Sequence, residues 1–144
     1  MKLETIPVQV TADASGVPAA ILMEISELLV QLADKDITGA IDLRSLPMSE
    51  EDKTCLQERL GCGEVSVQID IAGLTEVWET AYAGVWWVRH RGGDDRVIAE
   101  EIAVTRIPEI LVSPEDDIHA AAQRLNAELN STDPSAGEKE TSYV

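Results

Sequence analysis

The sequence predicts an α+β fold: a four-stranded antiparallel β-meander with about three helices packed on one face. Three observations predict it. A helical apolar stripe lies early in the chain, four strand-like segments follow with short connections, and a capped amphipathic segment closes the ordered part. Helices and strands segregated along a chain indicate α+β. At 144 residues the chain suits one domain, enough to bury a single core.

Residues 1–16 read as an irregular lead, punctuated by Pro7 and "DASG". The first helix begins near Pro18, a favoured first-turn residue. Ile21, Leu22, Ile25, Leu28, Leu29 and Leu32 fall on one stripe, with Glu24, Glu27 and Gln31 facing away. Gly39 stops the helical region, and "AIDLRSL" is a short strand or an ordered loop. Ser49 is the N-cap of a second helix, with Asp52 three residues on and Leu56 and Leu60 on one face. Gly61 suits its C-terminal end.

The period then changes from helical to alternating. "EVSVQIDI" puts Val65, Val67, Ile69 and Ile71 on one face and polar residues on the other. Residues 74–82 form a second strand, "VWWVRHR" a third, and "RVIAEEIAVTRI" a fourth, with "GGDD" as the hairpin turn between the last two. Parallel pairing would need crossovers of about a dozen residues, for which there is no room. The last helix starts at "SPEDD", with Ser113 as N-cap, and carries Ile118, Ala121, Ala122, Leu125 and Leu129 in a stripe. Residues 17–130 thus make the single domain. Residues 131–144 are polar and aperiodic, as in a disordered tail.

Charge excludes several function classes. Acidic residues number 27 against 11 basic, a formal net charge of −16. That excess argues against nucleic acid and against an anionic membrane surface as partners. Solubility is the plain reading of the acidity, and steering toward a basic partner is the functional one. No apolar run reaches the ~20 residues of a membrane span, and the N-terminus lacks a secretory apolar region, so the cytoplasm is the expected compartment.

Motifs for catalysis are absent: there is no G-x-S-x-G, H-E-x-x-H or Walker A sequence. Cys55 and Cys62 are too far apart for C-x2-C, and His90 and His119 are the only imidazoles. No metal site and no cofactor is expected from this set. Adjacent Glu100 and Glu101 point to opposite faces of a strand. One of them could be a tuned base, or could pair with a cross-strand arginine.

The stretch "WETAYAGVWWVRHR", residues 78–91, holds four of the five aromatic residues and ends in Arg89-His90-Arg91. Alternation places Val85, Trp87, Arg89 and Arg91 on one face and Trp86, Val88 and His90 on the other. One tryptophan should be core and the other should lie on an open face beside arginines. Trp and Arg are enriched at interface hot spots. Glu79, Trp86, Trp87, Arg89 and Arg91 are therefore the candidate partner-binding residues.

"DLRSLPMS", "LGCGEVSVQI", "ETAYAGVWWVRHR" and "IPEIL", in this order and followed by the final helix, resemble the HupH/HyaF family of NiFe-hydrogenase expression and formation proteins. The resemblance runs from about Ile21 to Leu129. It implies an accessory, chaperone-like protein rather than an enzyme, acting in the cytoplasm on a hydrogenase precursor subunit or with other accessory proteins. "GEVS", "ET" and "GVWWV" correspond to Gly63–Ser66, Glu79–Thr80 and Gly84–Val88, and the resemblance supplies no catalytic role for them. Longer members carry further N-terminal sequence or a second related segment. Two other readings stand beside this one: a redox- or metal-handling maturation factor using Cys55 and Cys62, and a homodimer seam at the aromatic face.

Overall fold

The computed structural model describes residues 15–131, so the expectations for residues 1–14 and 132–144 lie outside the described residues. The described residues form two compact units, one ending at Pro108 and one beginning at Glu109.

The first unit is built of two helices and a sheet. Helix α1 (Val17–Lys35) starts with Pro18 in its first turn, as its fixed φ favours, and ends at Asp36 in a left-handed conformation. Strand β1 (Gly39–Asp42) and a 3-10 turn (Leu43–Ser45) lead to helix α2 (Glu50–Leu60). Ser49 and Asp52 cap α2 reciprocally: Ser49 Oγ accepts from Asp52 N at 3.0 Å, and Ser49 N donates to Asp52 Oδ2 at 3.1 Å. The Ser15 hydroxyl donates to Asp52 Oδ1 at 2.6 Å, and it leads the hydrogen bonds that hold the Asp52 carboxyl below its usual pKa. Strands β2 (Ser66–Asp70), β3 (Leu74–Glu79), β4 (Val85–Arg91) and β5 (Val97–Val104) complete the sheet.

The sheet is antiparallel throughout, in the order β1-β5-β4-β3-β2. Its meander is the expected one, and its strand count is five rather than four. The segment left open between strand and loop is β1, which pairs with β5 from Gly39↔Val104 to Asp42↔Glu101. Four residues with imperfect alternation give a weak pattern, and only the neighbouring strand supplies the hydrogen bonds that make them a strand.

The core lies between the two helices and one sheet face. Ile21, Ile25 and Leu32 of α1 and Leu56 and Leu60 of α2 meet Ile41, Val85, Trp87, Ile102 and Val104. The β3–β4 connection is tied by Thr80, a buried residue whose hydroxyl donates to the Val85 carbonyl at 2.9 Å and accepts from Tyr82 N at 3.1 Å. Gly84 follows at φ 90°, which a side chain would strain. The "ET" and "GVWWV" pieces therefore build one turn and the strand it launches.

The second unit holds a 3-10 turn (Glu109–Leu111) and helix α3 (Glu115–Ser131). None of the α3 residues is buried, and Ile118, Leu125 and Leu129 of its apolar stripe are exposed. Among the described residues no helix is long and apolar enough to cross a membrane.

Burial separates the two stripes energetically. Leu56→Ala, at a fully buried position, should cost ~2–5 kcal/mol in urea unfolding. Leu125→Ala on the exposed stripe should stay within about 0.5 kcal/mol of wild type.

Candidate functional site

β4 carries the aromatic–basic segment through the middle of the sheet, bonded to β3 on one side and β5 on the other. Trp87 enters the core under the helices, and Trp86 points to the opposite face, as alternation requires. Neither is exposed: Trp87 is 0% and Trp86 6% accessible. The expectation that one of the pair lies on an open face is thus corrected. The second face is dry at its centre, where Val77 and Val88 are buried beside Trp86 and form a directly opposed pair. The Trp86 indole N–H donates to the Thr105 carbonyl at 3.1 Å, which meets its polar need without water.

The arginines had signalled a wet face, and the structure gives a different reason for them. Cross-strand register sets Arg89 between Glu76 on β3 and Glu100 on β5. Glu100 is only 2% exposed. Its Oε2 accepts from Trp87 Nε1 and from Arg89 Nε, both at 2.8 Å. Its Oε1 lies 3.0 Å from Lys53 Nζ of α2, an ion pair at an angle outside hydrogen-bonding geometry. Glu100 is therefore the cross-strand partner of an arginine, one of the two roles open for it in the sequence. Burial pushes its carboxyl pKa up, but the hydrogen bonds from Trp87 and Arg89, the adjacent Lys53 ammonium and the Arg89 charge outweigh that and hold it below the ordinary value.

The network continues outward from Arg89. Arg89 Nη1 stands 3.7 Å from Glu76 Oε1, and Arg91 Nε donates to that same oxygen at 3.2 Å. The Arg89 guanidinium carbon lies 5.1 Å from the centroid of the Trp78 ring, a cation–π contact of about 0.5–2 kcal/mol. Trp78 in turn stacks on Trp87, with centroids 5.7 Å apart and planes 7° from parallel.

Beside this stack a recess of about 370 Å³ opens between the end of α2 and strands β2 to β4. Gln57, Cys62, Ser66, Trp78, Glu79 and Arg89 contribute to its wall, with the Gly61–Gly63 loop as its rim. The loop is clamped to the end of β3. Gly63 N donates to the Glu79 carbonyl at 2.7 Å, and a Cβ on Gly63 would stand 2.6 Å from the Thr80 carbonyl oxygen. Only glycine permits that approach, which accounts for the "GCGEVS" piece.

Of the five residues singled out from the sequence, Glu79 and Arg89 line the recess. Trp87 backs its aromatic wall by stacking on Trp78, and Arg91 holds Glu76, the second carboxylate on Arg89. Trp86 stands on the other face. Sequence reasoning missed Trp78, Ser66 and Gln57 as lining residues, and it offered the arginine partnership of Glu100 without choosing between Glu100 and Glu101. Trp78 becomes visible, and Glu100 is chosen over Glu101, only once β3 and β5 are placed against β4, because each acts across the sheet.

The remaining candidates do not assemble. Cys55 is buried in α2 while Cys62 is exposed at the recess rim. Among the described residues no group of three or more His, Cys, Asp and Glu is placed to hold a metal ion. His90 Nδ1 bonds the Thr75 hydroxyl at 2.7 Å, and His119 lies exposed on α3, 3.7 Å from Glu115. What the recess offers chemically is a preset guanidinium on an aromatic ring, flanked by amide, hydroxyl, thiol and carboxylate groups.

Fold and site together define an α+β domain with a structurally fixed arginine–tryptophan recess, and its fold is that of a hydrogenase expression protein. The chain belongs to the HupH family: residues 17–132 match the model described as HupH hydrogenase expression protein, C-terminal conserved region. It is 33% identical to the hydrogenase expression/formation protein HoxQ of Azotobacter vinelandii, over 73% of this chain and 38% of that protein. It is 29% identical to HupH of Rhizobium leguminosarum bv. viciae, over 87% of this chain and 50% of the relative. A solved structure, the hydrogenase expression protein HupH from Thiobacillus denitrificans, superposes with a TM-score of 0.78 at 37% identity, covering 81% of this chain and 98% of that one. The chain spans about half or less of the length of these two curated relatives.

Glu100 sets two measurable expectations. Glu100→Ala leaves Arg89 and Lys53 without their buried counter-charge and should cost roughly 3–5 kcal/mol in chemical unfolding. The folded-state pKa of Glu100 is depressed, so the unfolded chain binds this proton first on acidification. Its contribution is full above the unfolded carboxylate pKa and is lost as pH falls through the lower folded value. Glu100→Gln should flatten the acid limb of stability against pH while leaving the neutral limb parallel to wild type.

Proposed function

We propose that this chain is a non-catalytic accessory protein of hydrogenase maturation that works in the cytoplasm. Its task is to bind a hydrogenase precursor subunit or another accessory protein through the recess of Trp78, Glu79, Arg89 and the Gly61–Gly63 loop. Membership of the HupH family supports the maturation role, since relatives carry the name hydrogenase expression/formation protein. The match of residues 17–132 includes both units, which supports treating residues 17–130 as one working domain.

One observation carries the choice of surface. Arg89 lies against Trp78 beside an open recess and is held there by two carboxylates before any partner arrives. An ordered Trp–Arg pair loses little conformational entropy on binding, which is the property of an interface anchor. Trp87 and Arg91 serve the same surface from behind, the first by stacking on Trp78 and the second by fixing Glu76. Trp86 serves it only through β4, by anchoring the strand to Thr105.

Ser66 and Gln57 line the recess without belonging to the core, so filling it there spares the fold. Ser66→Trp should keep its unfolding midpoint and lose roughly tenfold or more in affinity for purified precursor subunit or accessory protein, as expected for blocking a hot spot. Ser66→Trp and Gln57→Trp proteins that fold normally and bind every partner as wild type does would remove the recess from consideration.

A further inference from the structure

A second concavity lies on a different surface. It runs along α1 and is lined by Leu22, Ile25, Leu29, Ala33, Leu60 and Tyr82, with Val30 and Arg59 at its sides. Its volume is about 570 Å³, and it shares no lining residue with the recess. α1 is more apolar than its core contacts require. Ile21, Ile25 and Leu32 reach the core, while Val30 and Met23 remain 52% and 67% exposed. Across the groove, Tyr82 is 53% exposed on the β3–β4 turn.

Helical spacing gives the groove its shape and its charge. Leu22, Ser26, Leu29 and Ala33 follow one i, i+4, i+7, i+11 row, a valley in which Ser26 and Ala33 are the small positions. It extends roughly 16 Å along the axis, three turns of helix. The adjoining ridge is Met23, Glu27, Val30 and Asp34, all exposed, so the outer rim alternates apolar and acidic residues. The inner rim carries Arg59, which has an interaction of its own within the chain.

We propose that this groove docks a basic amphipathic helix of a partner protein. Apolar side chains at i, i+3 or i+4, and i+7 of that helix fill the valley between Val30 and Tyr82, and its Lys or Arg residues meet Glu27 and Asp34. The whole chain bears a net charge of −16, so a cationic helix is drawn in at long range while a second copy of this chain is repelled. Charge thus selects a basic partner over self-association for a surface whose apolar lining alone would accept either.

The test uses the full chain and two synthetic peptides of about 18 residues, roughly five helical turns. Both have one leucine face; the other face is lysine in one peptide and glutamate in its twin. Fluorescence anisotropy should show saturable binding of the Leu/Lys peptide and none of the Leu/Glu twin. Val30→Asp, an exposed position, should weaken binding about tenfold or more, and Glu27→Lys with Asp34→Lys should do so by roughly tenfold. Glu64→Lys with Asp70→Lys, the same charge change on and beside β2, should leave affinity within about threefold. Equal affinity in the groove variants, equal binding of the Leu/Glu twin, or equal loss in the β2 control would overturn the proposal. So would concentration-dependent dimerisation of the free chain that Val30→Asp abolishes, since a second copy would then own the groove.

Discussion

The buried carboxylate of Glu100 is the constraint on which the rest of the first unit depends. A lone carboxylate under two helices would be strongly unfavourable, and it is tolerated here because three groups from two elements converge on it. Trp87 and Arg89 reach it from β4 and Lys53 from α2. Each of those groups is thereby fixed in turn. The indole N–H sets the Trp87 ring angle, the ring sets the stack on Trp78, and the guanidinium sets the position of Arg89 over that ring. Helix α2 is locked to the sheet by charge as well as by Leu56 and Leu60.

Rigidity in the recess follows from that hub rather than from the recess itself. Its rim is glycine-rich backbone clamped to the end of β3, and its floor is an aromatic ring held by a stack and a cation. The motif pieces that tie the chain to the HupH family are largely the pieces that hold this arrangement. Gly63 allows the clamp, Thr80 ties the turn before β4, Gly84 takes the left-handed conformation, and Trp87 carries the hub's hydrogen bond.

Acidity and apolar exposure act together on the other side of α1. Charge alone would only keep the chain soluble, and an apolar valley alone would invite self-association. Placed side by side, Glu27 and Asp34 against Leu22, Leu29 and Val30 narrow the range of suitable ligands to cationic amphipathic ones.

The amino-acid order by itself determined the elements whose signals are local. The α1 stripe, the capping box of Ser49 and Asp52, the alternation of β2 and the meander all follow from period, caps and connection length, each set by residues within a few positions of one another. The family was legible for the same reason, as ordered short motifs. Three features were decided only by the tertiary structure, because each depends on residues distant in the chain. β1 became a strand when β5 supplied its ladder. Both tryptophans became buried because β4 is central, with helices over one face and Val77 packed beside Trp86 on the other. The arginines, which looked like markers of water, turned out to be counter-ions of Glu100 and Glu76. An arginine's meaning depends on what stands opposite it across the sheet, and strand alternation names a face but not the neighbour.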